Sequence, residues 1–110
     1  MKQYVIDELR PGEYDKIKSY LDEAFGKSAV DDVYWVPLDK EFLTEEQLLH
    51  NECGPHCFAV VLEENLVACE FLIRTKNRIR CNCMGYADEK QQTAIIRFAD
   101  NLFRKLNIPI

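Results

Sequence analysis

Glycine, proline and histidine are scarce in this sequence, whose 110 residues include four glycines, four prolines and two histidines. So few structure-breaking residues argue against a disordered or low-complexity chain. The longest apolar run, residues 57–62, is far shorter than the roughly 20 residues that span a bilayer, so no membrane partner is expected. The first residues have no long apolar region, which predicts no signal peptide. One domain over residues 1–110 is expected.

Basic residues are also in deficit, and the deficit is uneven. Residues 1–52 hold 6 Lys/Arg against 13 Asp/Glu, whereas residues 53–110 hold 8 against 6, giving a net charge of −5 for the chain. This acidic balance disfavours nucleic acid as a partner, because nucleic-acid binding requires a basic surface. The exception is the run 74–80, which contains Arg74, Arg78 and Arg80 and reads as a solvated hairpin tip or as a site for an acidic partner.

The order of apolar and polar residues predicts the elements of an α+β fold. A short strand at 4–6 precedes a helix that Pro11 opens and Gly26 ends. Residues 27–43 fit a short strand or an ordered loop, and Thr44 with Gln47 forms a capping-box pattern that opens a second helix. A last helix begins after Asp88, with Gln91 completing its cap and with buried positions 95, 99, 102, 103 and 106. Asn107 is expected to end it in a Schellman motif.

Between the second and last helices, strict alternation predicts a meander of three antiparallel strands at 57–63, 67–74 and 78–83. A tight turn at 64–65 places Leu62 opposite Val67, Val60 opposite Cys69 and Phe58 opposite Phe71. A second turn at 75–77 is expected to place Ile73 opposite Ile79, Phe71 opposite Cys81 and Cys69 opposite Cys83. This register puts each apolar set on one face, against which the helices are expected to pack.

All five cysteines lie between Cys53 and Cys83. A zinc site is disfavoured, because Cys57 points away from Cys81 and Cys83 and no pair has the C-x2-C spacing of a zinc knuckle. Without a signal peptide the thiols are expected to stay reduced in the cytoplasm, with Cys69, Cys81 and Cys83 as small core residues. Cys53 and Cys57 flank a Gly-Pro turn and are predicted to be the more exposed and reactive thiols.

The element order β-α-α-β-β-β-α, with the apolar positions of residues 8–25, 58–68 and 88–108, resembles the GNAT acetyltransferase superfamily. That resemblance implies an acetyl-CoA site at the start of the last helix, where Gln91, Gln92, Thr93 and Ala94 match the family's Gln/Arg-x-x-Gly-x-Gly/Ala segment. The glycines of that segment let backbone N–H groups approach the pyrophosphate. Here nothing matches the first glycine, and the chain stops at Ile110 before the family's fifth strand. The resemblance therefore implies a truncated GNAT-like fold without the usual acetyl transfer and with no bound cofactor.

These patterns favour a small binding or regulatory domain rather than an enzyme. No catalytic residue is assigned, and the predicted contact surface is the sheet face without helices: Glu70, Leu72, Arg74, Arg78 and Arg80 beside Ala59, Val61 and Ala68. Such a half-apolar face fits a second copy of the chain or another protein. Two alternatives stay open. One is weak acyl-CoA binding at residues 91–94, and the other is a thiol or metal sensor that uses Cys53 and Cys57.

Overall fold

The computed structural model describes residues 3–26, 32–50, 55–75 and 83–109, and in them it shows an antiparallel sheet of six strands with three α-helices. The strands are β1 (Gln3–Ile6), β2 (Val33–Pro37), β3 (His56–Glu63), β4 (Leu66–Glu70), β5 (Leu72–Thr75) and β6 (Gly85–Tyr86). The helices are α1 (Glu13–Phe25), α2 (Glu45–Leu49), which follows a 3₁₀ turn at Lys40–Phe42, and α3 (Glu89–Lys105). The predicted α+β class is confirmed. The segment that the sequence left open as a short strand or an ordered loop contains strand β2.

The predicted C-terminal ends of α1 and α3 are confirmed by the backbone, whereas α1 begins at Glu13, after Gly12, and not at Pro11. Gly26 follows α1 with φ of 79°, a conformation that favours glycine. Asn107 follows α3 with φ of 57°. Its N–H donates to the carbonyl of Arg104 at 3.1 Å, and the N–H of Ile108 donates to that of Phe103 at 2.9 Å. These two bonds are the Schellman pattern, so the last carbonyls of α3 are satisfied before the chain leaves the helix.

One face of the sheet is buried under α1 and α3. Alternate residues of the strands point to this inner face and form a single apolar cluster with the helices. The buried members are Ile6, Ile17, Leu21, Tyr34, Val36, Phe58, Val60, Leu62, Val67, Cys69, Ile73, Ala87, Ile95, Ala99, Leu102, Phe103 and Ile108. The prediction that helices pack on one side of the sheet therefore holds for the described residues.

Strands β4 and β5 run along the same edge of β3 and are separated by Phe71. The predicted pairs Leu62–Val67 and Val60–Cys69 are confirmed. From Val60 to Cys57, three steps along β3, the neighbouring chain advances five residues, from Cys69 to Arg74. Two extra residues therefore bulge out around Phe71, and the predicted pairing of Phe58 with Phe71 is not part of the ladder.

On the side away from β3, β4 and β5 have different neighbours: β1 pairs with β4, and β6 pairs with β5. Cys69 lies between Val60 and Tyr4, because β1 pairs with β4, so its predicted position opposite Cys83 is wrong. Ile73 pairs with Gly85 rather than with Ile79. Residues 76–82, with most of the predicted third strand of the meander, lie outside the described part of the chain.

Polar contacts between α1 and β2 hold the edge of the sheet. Lys18 Nζ and Tyr14 Oη each lie 3.0 Å from the Asp32 carboxylate, and Tyr34 Oη donates to Asp22 at 2.6 Å. The Lys18 ammonium lowers the pKa of Asp32, so the carboxylate stays charged in this contact. Among the described strands β2 has β3 as its one partner, and Pro37, which has no N–H to donate, ends it.

Mutation of the apolar cluster tests its contribution to the stability of the fold. Ile95→Ala, at a fully buried position of α3, is expected to lower the free energy of unfolding by about 2–5 kcal/mol, because it leaves a cavity in the cluster. Leu49→Ala makes a similar change on α2, where the side chain is 80% exposed, and is expected to stay within about 0.5 kcal/mol. Urea denaturation followed by circular dichroism measures both; equal losses would contradict this core.

Candidate functional site

The N-terminus of α3, where Gln91–Ala94 were predicted to hold a cofactor, is occupied by the chain's own groups. The Asp88 carboxylate accepts from the Gln91 backbone N–H at 2.8 Å, and Gln91 Oε1 accepts from the Asp88 N–H at 3.1 Å. This is the predicted capping box, with aspartate as the cap. The Gln92 amide donates to the Ala87 carbonyl and the Thr93 hydroxyl to the Glu89 carbonyl, both at 3.0 Å.

Gln91 does more than cap its helix. Its side chain is 1% exposed, and its Nε2 donates to Gln47 Oε1 and to the Phe42 carbonyl, both at 2.9 Å. Gln47 is itself the third residue of α2, in a capping box with Thr44, and its Nε2 donates to the Cys83 carbonyl at 3.1 Å. We call the Gln47 and Gln91 side chains the amide clasp. It joins the starts of two helices through satisfied buried amides.

The capped helix end has a clear electrostatic consequence. A helix N-terminus attracts anions because its first N–H groups lack partners and because the helix dipole places partial positive charge there. Here the Asp88 carboxylate already supplies the negative charge and takes the Gln91 N–H. A diphosphate at the same place would face that carboxylate, and it would have to displace the cap.

The outer face of the sheet carries an apolar row that crosses four strands. Val33 pairs with Val61, Val61 with Ala68, and Ala68 with Val5. We call these four residues the apolar strip. Val5 is 39% exposed, and Trp35, in the adjacent row of β2, is 37% exposed. Within the strip itself Val33 and Val61 are half-buried, and Ala68 is 4% exposed.

The predicted contact surface coincides with this face in part. Ala59 and Ala68 are buried between larger neighbours, while Leu72 is half-buried. Arg74 Nη2 lies 3.7 Å from Glu70 Oε1, a loose ion pair beside the strip. Arg78 and Arg80 lie outside the described residues. The sequence reasoning missed Trp35 and Val33, because residues 33–37 are apolar or aromatic throughout and carry no polar alternation. In the structure Tyr34 and Val36 are buried, Val33 is half-buried, and Trp35 and Pro37 are exposed.

The described thiols lie in the interior. Cys57 is 1% exposed, so the expectation that it is accessible is wrong; its thiol donates to the Arg74 carbonyl at 3.6 Å. Burial raises the pKa of the Cys69 thiol to about 12, and the charge of Asp100 adds to the shift. Cys83 is also buried. Cys53 and Cys81 lie outside the described residues. Where the structure describes the chain, no three His, Cys, Asp or Glu side chains converge as metal ligands would.

The comparison with known proteins found no relative of this chain. No protein-family model, curated protein or solved structure matches the chain. Within the described residues, none of the helices has both the length and the apolar character that crossing a membrane requires.

The amide clasp predicts non-additive mutations. Gln47→Ala and Gln91→Ala are each expected to lower the free energy of unfolding by about 1–3 kcal/mol, because each leaves buried partners unsatisfied. The double variant is expected to lose less than the sum of the two, since both changes remove the same Gln47–Gln91 hydrogen bond. Urea denaturation of the four proteins completes the cycle, with the exposed Gln3→Ala as control. Strict additivity would contradict the clasp.

Thiol labelling tests the buried cysteines. In a Cys53→Ser/Cys81→Ser variant, the remaining thiols at 57, 69 and 83 are expected to resist Ellman's reagent at pH 8 and to react when urea unfolds the chain. Burial excludes the reagent, and the raised pKa of Cys69 keeps that thiol protonated. Rapid reaction of the native variant, at the rate of a small-molecule thiol, would contradict this arrangement.

Proposed function

We propose that this chain is a small binding domain of GNAT-like architecture without acetyl transfer, and that it acts by protein association through the apolar strip and Trp35. The observation that carries the proposal is the apolar row Val33–Val61–Ala68–Val5, which crosses four strands on the outer face, with Val5 exposed at one end and Trp35 exposed beside the other. Contiguous apolar surface of this kind is typical of association sites.

The architecture part of the proposal rests on the order of elements and on the helix that follows the sheet. The absence of acetyl transfer is supported by the first turn of α3, where the Asp88 carboxylate and the Gln91 side chain use the groups that a pyrophosphate would need. The side chains of Gln92 and Thr93 are also engaged in internal hydrogen bonds. No observation in the described residues favours the alternative of acyl-CoA binding.

A second copy of the chain is the partner that we propose for the strip. A two-fold axis would pack one outer face against the other, as in a sandwich of sheets about 10 Å apart. Each copy would then bury its own strip and Trp35 against the same residues of its partner, which is the isologous arrangement of most homodimers. Glu70 and Arg74 lie beside the strip with opposite charges, so two copies related by such an axis can pair them across the interface.

Light scattering coupled to gel filtration tests the association. The wild-type chain is expected at about twice its 12.9 kDa monomer mass. Val61→Asp places a charge in the middle of the strip and is expected to give monomer, because an unpaired carboxylate cannot be buried in the interface. Leu49→Asp, which makes a similar change on exposed α2, is expected to leave the dimer intact.

Two outcomes would contradict the proposed dimer. A wild-type monomer at millimolar concentration would remove self-association, and a Val61→Asp variant that remains dimeric would place the interface elsewhere. Circular dichroism of both aspartate variants confirms that they are folded before their masses are compared.

A further inference from the structure

Strand β1 lies at the end of the sheet, and one of its long edges has no partner strand in the described part of the chain. Its four residues pair with β4, and no backbone hydrogen bond joins them to another described segment. Alternate residues of such a strand direct their N–H and C=O groups away from the neighbouring strand. Apart from its short length, β1 has none of the features that usually protect an edge, because it contains no charged residue, proline or bulge. The edge therefore offers donors and acceptors to a further strand.

A cavity of about 420 Å³ lies beside this strand. Its volume is within the range of about 300–1,000 Å³ that is usual for ligand sites. Its apolar wall is formed by Tyr4, Ile6 and Leu9 on one side and by Phe103 and Pro109, at and after the end of α3, on the other. Tyr4 and Ile6 belong to the inner face of the sheet, so the cavity lies on that side of β1. A strand added to β1 would direct alternate side chains to the same side, and one of them would enter the cavity.

The polar part of the cavity lining is acidic. It consists of the side chains of Asp7, Glu8 and Glu13, together with one cation, Arg10. Asp7 and Glu8 are exposed, directly after β1. Glu13 Oε1 accepts a hydrogen bond from the Arg10 backbone N–H at 2.7 Å, which fixes this carboxylate at the start of α1. With three carboxylates against one guanidinium, the lining favours a ligand that carries positive charge.

We propose that the unpaired edge of β1 binds an extended peptide segment that contains a lysine or an arginine. The segment pairs with β1 and becomes the next strand of the sheet, which is recognition by β-augmentation. The carbon chain of its basic residue lies in the cavity against Ile6 and Phe103, and the charged end reaches Asp7 and Glu8. Long basic side chains suit both environments, because their stems are apolar and their ends are charged. The hydrogen bonds form along the edge of the sheet and not on its outer face, so the site does not depend on the proposed dimer.

Fluorescence anisotropy of the full chain with a labelled peptide tests the site. The probe is TVTKTVT, a threonine- and valine-rich peptide with a central lysine. Replacing that lysine by glutamate is expected to weaken binding about tenfold at low ionic strength, because the carboxylates of the cavity then repel the peptide. Two further peptides are N-methylated on one or the other alternate set of amides. The peptide that is methylated on the set facing β1 is expected to lose binding, and the other is expected to keep it.

A charge-neutralised variant tests the acidic lining. Asp7→Asn/Glu8→Gln keeps the size of both side chains and is expected to weaken binding of the lysine peptide about three- to tenfold, and to reduce its preference over the glutamate peptide. Glu41→Gln/Glu46→Gln removes the same charge from exposed positions that do not line the cavity, and it is expected to bind as the wild type does. Circular dichroism verifies that both variants are folded.

Amide chemical shifts locate the peptide on the wild-type chain. Titration with the lysine peptide is expected to shift the resonances of residues 3–10 and those near Phe103 and Pro109. The proposal is overturned if no binding occurs at millimolar peptide, if the lysine and glutamate peptides bind equally, or if both methylated peptides do. Shifts confined to other residues, or equal losses in the two double variants, would overturn it as well. If the β1 amides become protected as the protein concentration rises without peptide, the edge pairs with a second copy, which also contradicts the proposal.

Discussion

Burial of a single face of the sheet is the constraint on which the rest of the structure depends. The inner side chains of β3 lie between β2 and the broken strand β4–β5 and beneath α1 and α3, so they are removed from water on every side. This one cluster fixes the register of the strands, because a one-residue slip would turn Val60 and Leu62 to the outer face. It also leaves the outer face to be stabilised by small residues, by the Glu70–Arg74 pair or by another molecule.

At one end of the core, α2 and α3 are joined by polar contacts rather than by apolar packing. The amide clasp joins α2 to α3 through two capping boxes whose third residues hydrogen-bond to each other. Such a contact is directional and fully satisfied, so it specifies where α2 lies while burying little apolar surface. Because α2 buries little apolar surface, its position depends mainly on these two amides.

The sequence predicts the helices well because their signals are local. Thr44 and Gln47, Asp88 and Gln91, Gly26 and Asn107 each set a helix end through bonds to residues a few positions away. It also predicts the β3–β4 register, which a tight turn determines. The bulge at Phe71 was not predictable in this way, since no glycine marks it and the alternation of apolar residues continues through it. Two extra residues preserve that alternation while shifting every pair beyond them.

For the candidate sites too, the sequence reveals what depends on local signals and misses what depends on contacts between distant segments. Val33 belongs to the strip, and Trp35 lies beside it, only because β2 pairs with β3, a contact between distant segments that local periodicity does not reveal. The burial of Cys57 follows likewise from its place between Pro37 and Arg74, on strands that flank β3 from both sides. A Gly-Pro turn next to a cysteine indicates exposure when it is read alone, but the neighbouring strands decide the accessibility of the thiol.

In the first turn of α3, the capping role competes with any phosphate-binding role. The first four N–H groups of a helix lack intrahelical partners, and an anionic group beside them is favoured by the helix dipole. Asp88 provides that group from within the chain, and Gln91 turns the cap into an anchor for α2. The donors of this helix start therefore stabilise the fold.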